Sequence, residues 1–167
     1  MLFDWRLRGA DGFDLPFLEQ VFVIAADWNP ATAKGAEHWT ADPTLEKYLG
    51  SWRTGSDFGF VIDSDEGPIG AVWMRYFTAA DASYGFVDEQ TPELTIGVLP
   101  EHRGRGAGRM LLQTAQEATP ARLSLSVEDG NRARALYEEM GFVPVGRVGG
   151  STTMLWHAPS RPAMLGA

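Results

Sequence analysis

Hydrophobic positions in the second half of the chain switch between the period of a strand and the period of a helix. Leu123, Leu125 and Val127 alternate with polar residues, which predicts a strand with one buried face. The apolar positions that follow are spaced at i, i+3, i+4 and i+7, which predicts a helix with one apolar face: Ala133, Leu136, Tyr137, Met140. Gly141 stands where a glycine C-cap ends such a helix.

The residues on either side of this strand and helix continue the same alternation of element types. A β-rich run from Glu93 to Leu99 leads into a glycine-rich loop and then a helix to about Thr119, which Pro120 prevents from continuing. After Gly141, residues 142–148 and 152–157 read as two further strands.

The first half of the chain predicts helices followed by a hairpin. Residues 3–9 read as a strand, and Asp14 is placed to cap an amphipathic helix. The remaining segments are, in order, a loop or broken helix at 27–41, a short helix at 44–50, an antiparallel hairpin made of 58–63 and 69–77, and an extended connection at 78–92.

Composition narrows the class of protein. The chain has 167 residues, 44% of them hydrophobic and 22% charged, which favours one globular domain at 1–160 with a C-terminal tail at 161–167. It has no apolar run long enough to cross a membrane, so we expect no membrane partner and a cytoplasmic location. The net charge of −8 argues against a nucleic-acid partner, and the absence of cysteine excludes a thiol nucleophile and thiolate metal sites.

The loop after the Glu93–Leu99 strand carries the strongest chemical signal. Three glycines leave backbone N–H groups uncovered where a helix begins, and unpaired donors together with the helix dipole favour an anion there. The spacing fits neither the dinucleotide-binding GxGxxG motif nor the GxxxxGK[ST] motif of nucleotide triphosphatases. The loop therefore predicts a different phosphate-bearing ligand, held by Arg103, Gly104, Arg105, Gly106, Gly108 and Arg109.

Two motifs together resemble the GNAT superfamily of acyl-CoA-dependent N-acyltransferases. The first is Val98-x-Pro100-x-x-Arg103-Gly104-x-Gly106-x-Gly108, which is similar to the pyrophosphate loop of that family. The second is Asn131 followed by Leu136-Tyr137-x-x-x-Gly141-Phe142. They occur in the family's order, and the resemblance covers essentially the whole chain.

The resemblance implies a fold and a co-substrate. We expect an α/β (α+β) domain with a central mixed, mostly antiparallel sheet of six to seven strands, flanked by about four helices. The resemblance further implies a β-bulge at Gly97-Val98 that frees an amide for the thioester carbonyl of acetyl-CoA, with an ordinary glycine in a regular strand as the alternative. The residues expected to contact coenzyme A are Val98, Leu99, Arg103, Gly104, Arg105, Gly106, Ala107, Gly108, Arg109, Asn131 and Tyr137. For the three arginines the alternative is that the side chains point into solvent while the backbone binds.

The resemblance also assigns catalytic roles. Tyr137 is the expected general acid for the departing thiolate, with core packing as its alternative, since it lies on the apolar stripe of its helix. Glu93 is the candidate base for the incoming amine, and its alternative is a solvated carboxylate at a strand end. Asn131 is expected to cap or orient the start of the helix that carries Tyr137.

The expected reaction is direct transfer of an acetyl group from acetyl-CoA to a primary amine in a ternary complex, without a metal. The alternatives are an acyl-CoA-binding or sensing domain without turnover and a nucleotide-binding module. Dimerisation through the last strands is implied by the resemblance. The side chains that could line a pocket for a cationic acceptor are Trp28, Trp39, Trp73, Asp81, Tyr84, Phe86 and Asp88. The equal alternative is that the tryptophans belong to the core and the acidic residues to a solvated loop.

Overall fold

The computed structural model describes residues 4–160, and these form seven strands and five α-helices. The strands are β1 (Arg6–Gly9), β2 (Phe58–Ser64), β3 (Gly67–Arg75), β4 (Glu93–Val98), β5 (Arg122–Glu128), β6 (Val143–Val148) and β7 (Ser151–His157). The helices are α1 (Leu15–Ala26), α2 (Ala36–Ala41), α3 (Pro43–Leu49), α4 (Ala107–Ala118) and α5 (Ala133–Glu139). The tail predicted at 161–167 and the start of the first predicted strand, at residue 3, lie outside the described residues.

All seven strands join one sheet in the order β1-β2-β3-β4-β5-β7-β6. Neighbouring strands are antiparallel except for β4 and β5, which are parallel. The predicted fold class, a mixed and mostly antiparallel sheet flanked by helices, is confirmed. Within residues 4–160, no helix is long and apolar enough to cross a membrane.

Each face of the sheet is covered by its own set of helices. Leu111, Leu112 and Ala115 of α4 and Tyr137 of α5 pack with Leu123 and other apolar residues of the sheet on one face. On the other face, α1 and α3 pack around buried residues that include Leu18, Val21, Phe22, Tyr48, Val61 and Trp73.

Two details of the first half differ from the sequence-based prediction. The segment at 27–41 contains α2, so it is a loop followed by a short helix. The prediction that the Asp14 side chain caps α1 is wrong, since that carboxylate makes no capping hydrogen bond there. Both of its oxygens instead accept hydrogen bonds of 2.8 Å from Arg8, whose guanidinium lowers the pKa of Asp14.

The predicted β-bulge at Gly97-Val98 is also wrong. The register of β3 with β4 runs without a shift from Arg75↔Glu93 to Gly70↔Val98. Gly97 is needed for another reason, because a Cβ there would lie 2.8 Å from Cγ1 of Val21. A side chain at position 97 would therefore push α1 away from β4.

Arg75 ties the end of α3 to the sheet. Its guanidinium donates to both carboxylate oxygens of Asp57, at 3.2 and 2.7 Å, and to the carbonyls of Lys47 and Gly50, at 3.1 and 2.7 Å. The two charged side chains are only 11% and 9% exposed, so water can replace a lost partner only in part.

Replacing Arg75 by methionine is expected to reduce the free energy of unfolding by about 3–5 kcal/mol, because Asp57 is left buried and unpaired. Denaturant unfolding followed by circular dichroism measures the change. The matched control is Arg147→Met, since Arg147 and its partner Asp129 are more than half exposed and the pair should contribute little. Equal effects of the two substitutions would contradict a special role for the buried pair.

Candidate active site

A wedge-shaped gap opens between the two parallel strands in the middle of the sheet. β4 and β5 pair only where Glu93 lies opposite Ser124, next to a 3.0 Å hydrogen bond from the Ser124 amide to the Pro92 carbonyl. Beyond this point the strands share no further pair, so their carboxyl ends diverge. The unpaired main-chain groups along the gap can hydrogen-bond an extended ligand as an added strand would.

Regular alternation along β4 decides which main-chain groups face the gap. The Leu99 amide donates to the Ile69 carbonyl at 2.8 Å, so Leu99 is bonded toward β3. The neighbouring residue of an antiparallel ladder points the other way, which turns the N–H and C=O of Val98 toward the gap. The predicted availability of the Val98 amide thus needs no bulge. The Leu99 amide, predicted to contact coenzyme A, is already used within the sheet.

The glycine loop ends at the beginning of α4, near the open end of the gap. Gly104 and Gly106 have φ values of +75° and +92°, and Gly106 is the N-cap residue of α4. These angles favour glycine, and nothing lies within 4 Å of a Cβ built at either position. The first-turn amides of Ala107, Gly108 and Arg109 have no helical acceptor. The loop therefore presents a set of N–H donors to open space.

The three arginines of the loop have different surroundings. The Arg103 Nε donates to the Val98 carbonyl at 3.0 Å, which holds the loop against the end of β4. The Arg109 side chain forms a 2.7 Å ion pair with Glu139 of α5. Only the main chain of Arg109 therefore faces the predicted phosphate position, whereas Arg105 is exposed on the loop.

The ends of α5 are fixed by hydrogen bonds that the second motif supplies. The Asn131 Oδ1 accepts from the Ala133 amide at 3.0 Å, which confirms the predicted role of Asn131 at the helix start. At the other end Gly141 has a φ of +96°, and the Phe142 amide donates to the Tyr137 carbonyl at 2.9 Å. This is the hydrogen bond of a Schellman C-cap, and it fixes the backbone that carries the tyrosine.

Tyr137 points from α5 toward the sheet. Its side chain packs among buried apolar residues, with the Phe142 ring centroid 6.2 Å away. Burial raises the pKa of Tyr137 to about 12, so the phenol stays protonated near neutral pH. No hydrogen bond joins its hydroxyl to another described residue. Tyr137 therefore fits both the core-packing role and the general-acid role expected of it, because its ring lies in the core and its hydroxyl is free to donate a hydrogen bond.

Glu93 is buried, so the alternative of a solvated strand-end carboxylate is wrong. Only 4% of the residue is exposed. Its Oε1 accepts from the Gly85 amide at 3.0 Å and from the Tyr48 hydroxyl at 3.1 Å. Burial raises the pKa of Glu93 to about 7, against the opposing effect of these hydrogen bonds. A carboxyl group with this pKa can take up a proton near neutral pH.

The two candidate catalytic side chains lie on opposite faces of the sheet. Glu93 contacts Tyr48 of α3, whereas Tyr137 belongs to the apolar cluster under α4 and α5. The gap between β4 and β5 joins these faces. A ligand held in the gap would therefore have a proton acceptor on one side and a proton donor on the other.

Comparison with known proteins bears directly on this arrangement. The family model described as Acetyltransferase (GNAT) family matches residues 19–142, which include the gap, the glycine loop and α5. The chain belongs to the GNAT family. This confirms the resemblance stated from the two motifs.

Individual GNAT proteins resemble this chain in sequence or in fold. Mycothiol acetyltransferase from Beutenbergia cavernae is 38% identical over 88 residues, which is 50% of this chain and 27% of that protein, so the chain matches about a quarter of its curated relative. The PaiA N-acetyltransferase from Thermoplasma acidophilum, solved with coenzyme A, superimposes with a TM-score of 0.69 at 18% identity over 92% of this chain and 98% of that chain. YncA from Salmonella typhimurium, solved with its cofactor acetyl-CoA, gives a TM-score of 0.62 at 20% identity over 96% and 97%.

The acceptor side of this GNAT fold differs from the pocket predicted from sequence. Trp73 is fully buried in the core, and its indole donates to the Tyr48 carbonyl at 3.2 Å. Asp81 pairs with Lys47 at 3.1 Å, and Asp88 pairs with Arg122 at 2.6 Å. The predicted acidic lining for a cation is therefore largely neutralised by the protein itself.

A small cavity of about 230 Å³ lies beside the loop that covers Glu93. It is lined by Pro43, Thr44, Lys47, Ala82, Ser83, Tyr84 and Val148. Tyr84 is the member of the predicted acceptor set that lines it, and half of that residue is exposed.

Sequence reasoning missed Tyr48 and Gly85, which contact the Glu93 carboxylate in this GNAT site. Neither lies in a motif. A Cβ at position 85 would be 2.5 Å from Glu93 Oε1, so this glycine is needed for a close approach that no local pattern reveals. Tyr48 is brought to Glu93 by the packing of α3 on the sheet, which the sequence of a seven-residue helix does not specify.

Proposed function

We propose that this chain is an acetyl-CoA-dependent N-acetyltransferase that transfers an acetyl group to a primary amine by direct attack in a ternary complex. The observation that carries the proposal is the gap between β4 and β5, which has a donor-rich glycine loop at its open end and the buried carboxyl group of Glu93 at its closed end. Membership of the GNAT family and the neighbours solved with coenzyme A or acetyl-CoA support it.

The described residues fit the donor substrate. The open glycine loop and the first turn of α4 would hold the pyrophosphate through backbone N–H groups. These groups can donate to the oxygens of any phosphate ester of suitable shape. The main-chain groups that β4 turns toward the gap would bind the extended arm. Acetyl-CoA supplies the activated acetyl group as a thioester.

The residues on the two sides of the gap would move the protons. Glu93 takes a proton from the acceptor ammonium, which leaves a neutral amine whose lone pair forms the N–C bond to the acetyl carbonyl. An amide that β4 turns toward the gap between Glu93 and Val98, such as that of Ile96, donates to the carbonyl oxygen as negative charge develops on it. The C–S bond breaks, and Tyr137 donates its proton to the thiolate, so that coenzyme A leaves as the free thiol. The attacking nitrogen gives up its second proton, which restores the Tyr137 hydroxyl and leaves a neutral amide.

The same geometry separates this proposal from its alternative. An acyl-CoA-binding domain without turnover needs the glycine loop and the gap, but it has no use for a proton acceptor with a pKa near 7. The buried carboxyl group of Glu93 therefore favours the enzyme. Homodimerisation through the last strands stays a prediction, and the exposed side chains of Val143, Val145 and Val148 on the edge strand β6 are compatible with it.

Release of free thiol from acetyl-CoA across a panel of primary amines tests the proposal, with calorimetric binding of acetyl-CoA alongside. Amine-dependent release would establish the activity. Tight binding without release with any amine would favour the binding-only alternative. Absence of binding would overturn the assignment of the donor site.

Replacing Gly106 by valine is expected to weaken acetyl-CoA binding by at least about tenfold, because the φ of +92° is strained for a β-branched residue and the new side chain would cover the loop amides. Calorimetry measures the dissociation constant. The control is Gly55→Val, since Gly55 also has a positive φ, +58°, and nothing within 4 Å of its Cβ position, but follows α3 rather than β4. Equal loss of affinity in both variants would point to general destabilisation.

A further inference from the structure

The Tyr48 hydroxyl lies between the Glu93 carboxylate and the loop that covers it. It donates to the carboxylate, with its oxygen 3.1 Å from Oε1 and 3.3 Å from Oε2, and it accepts from the Tyr84 amide at 3.3 Å. Burial raises the pKa of Tyr48 far above its usual value, so the hydroxyl remains a donor. One buried group thus connects the candidate base to the loop.

Several groups around Glu93 favour its ionised form. The Ser83 hydroxyl, the Tyr48 hydroxyl, the Gly85 amide and the charge of Lys47 each lower the pKa of this carboxyl group, against the larger opposite effect of burial. Tyr48 and Gly85 donate to Oε1 at 3.1 and 3.0 Å. The Tyr48 hydroxyl is therefore one of the donors on which the negative charge of Glu93 depends.

Packing holds the Tyr48 ring in place independently of its hydroxyl. The ring centroid lies 5.9 Å from that of Phe22 and 5.5 Å from that of Phe77. The Tyr48 backbone carbonyl accepts from the Trp73 indole at 3.2 Å. Phenylalanine would keep these ring contacts, so the hydroxyl can be removed with little change of shape.

We propose that Tyr48 is a positioning residue for the base, whose hydroxyl fixes the Glu93 carboxylate and couples it to the loop at Tyr84 and Gly85. The inference rests on the proposed function. Its consequence is electrostatic, because a donor to a carboxylate favours the ionised form. Without it, Glu93 must lose its proton at higher pH, and the enzyme becomes active at higher pH.

The test is Tyr48→Phe, with Tyr76→Phe as a matched control, since Tyr76 is 38% exposed and lies just past the end of β3. The pH dependence of kcat/KM and the ¹³C NMR titration of the Glu93 carboxyl carbon are measured in both variants. We expect both midpoints to rise by about one pH unit in Tyr48→Phe only, with the KM for acetyl-CoA unchanged. Unchanged midpoints with a lower melting temperature would show that Tyr48 only packs.

A second substitution moves the midpoint in the opposite direction. Replacing Tyr48 by 3-fluorotyrosine keeps the size of the ring and makes the hydroxyl a stronger donor, so the Glu93 midpoint should fall. This variant keeps the proposal testable if Tyr48→Phe does not fold, and an unchanged or raised midpoint would overturn it.

The NMR titration also separates this inference from the proposed function. If the wild-type protein releases no thiol with any amine but the Glu93 midpoint responds to Tyr48 as expected, the transferase proposal fails and the positioning role stands. If thiol release occurs and the Glu93 titration midpoint does not respond to Tyr48→Phe, the transferase proposal stands and the positioning role of Tyr48 fails.

Discussion

Glu93→Gln is expected to lower kcat/KM for the amine by about 10²–10⁴-fold near neutral pH, because the variant cannot accept the proton of the ammonium. The kcat/KM of the wild type should rise with pH to a plateau above about pH 7, where Glu93 is ionised. The kcat/KM of the variant should not show this rise. Steady-state thiol release between pH 5.5 and 9 measures both effects. Calorimetry should show unchanged acetyl-CoA affinity, since the side chain lies at the closed end of the gap.

Stability provides the control for this substitution. The pKa of Glu93 rises from 4.5 to about 7 on folding, so the fold favours the neutral form. Its contribution to stability is therefore fully present below pH 4.5 and is lost as the pH rises toward 7. Glu93→Gln does not titrate, so it should lose less stability than the wild type over this range. The exposed Glu89→Gln should alter neither property, and a similar loss of activity there would exclude a specific role for Glu93.

The parts of the fold that depend on local signals could be predicted from the sequence. Pro120 and Gly141 end helices where expected, and the alternation around Leu125 marks a strand. Asp14 shows where such reasoning fails, because Arg8 lies close enough in space to compete for the carboxylate that would otherwise cap α1. Local capping rules do not include a partner from a neighbouring strand.

The donor side of the site was more accessible to prediction than the acceptor side. The glycine loop and the Asn131–Phe142 segment act through backbone geometry, which is written into short motifs. The surroundings of Glu93 depend on Tyr48 and Gly85, which are separated from it in sequence and meet it through tertiary packing. Trp73 shows the converse, since an aromatic residue in a β-rich run has no local signal that distinguishes core from pocket.

Tyr137→Phe is expected to lower kcat by about 10²-fold or more while the dissociation constant of acetyl-CoA stays unchanged, because only the proton donor to the thiolate is removed. Single-turnover thiol release and calorimetry measure the two quantities. The ring contact with Phe142 remains, and the lost hydroxyl has no hydrogen-bond partner among the described residues. Removing such a group should leave the melting temperature unchanged or raise it. Lower activity in a protein of equal or greater stability cannot come from a packing defect, whereas a parallel fall in kcat, acetyl-CoA affinity and melting temperature would assign Tyr137 to the core alone.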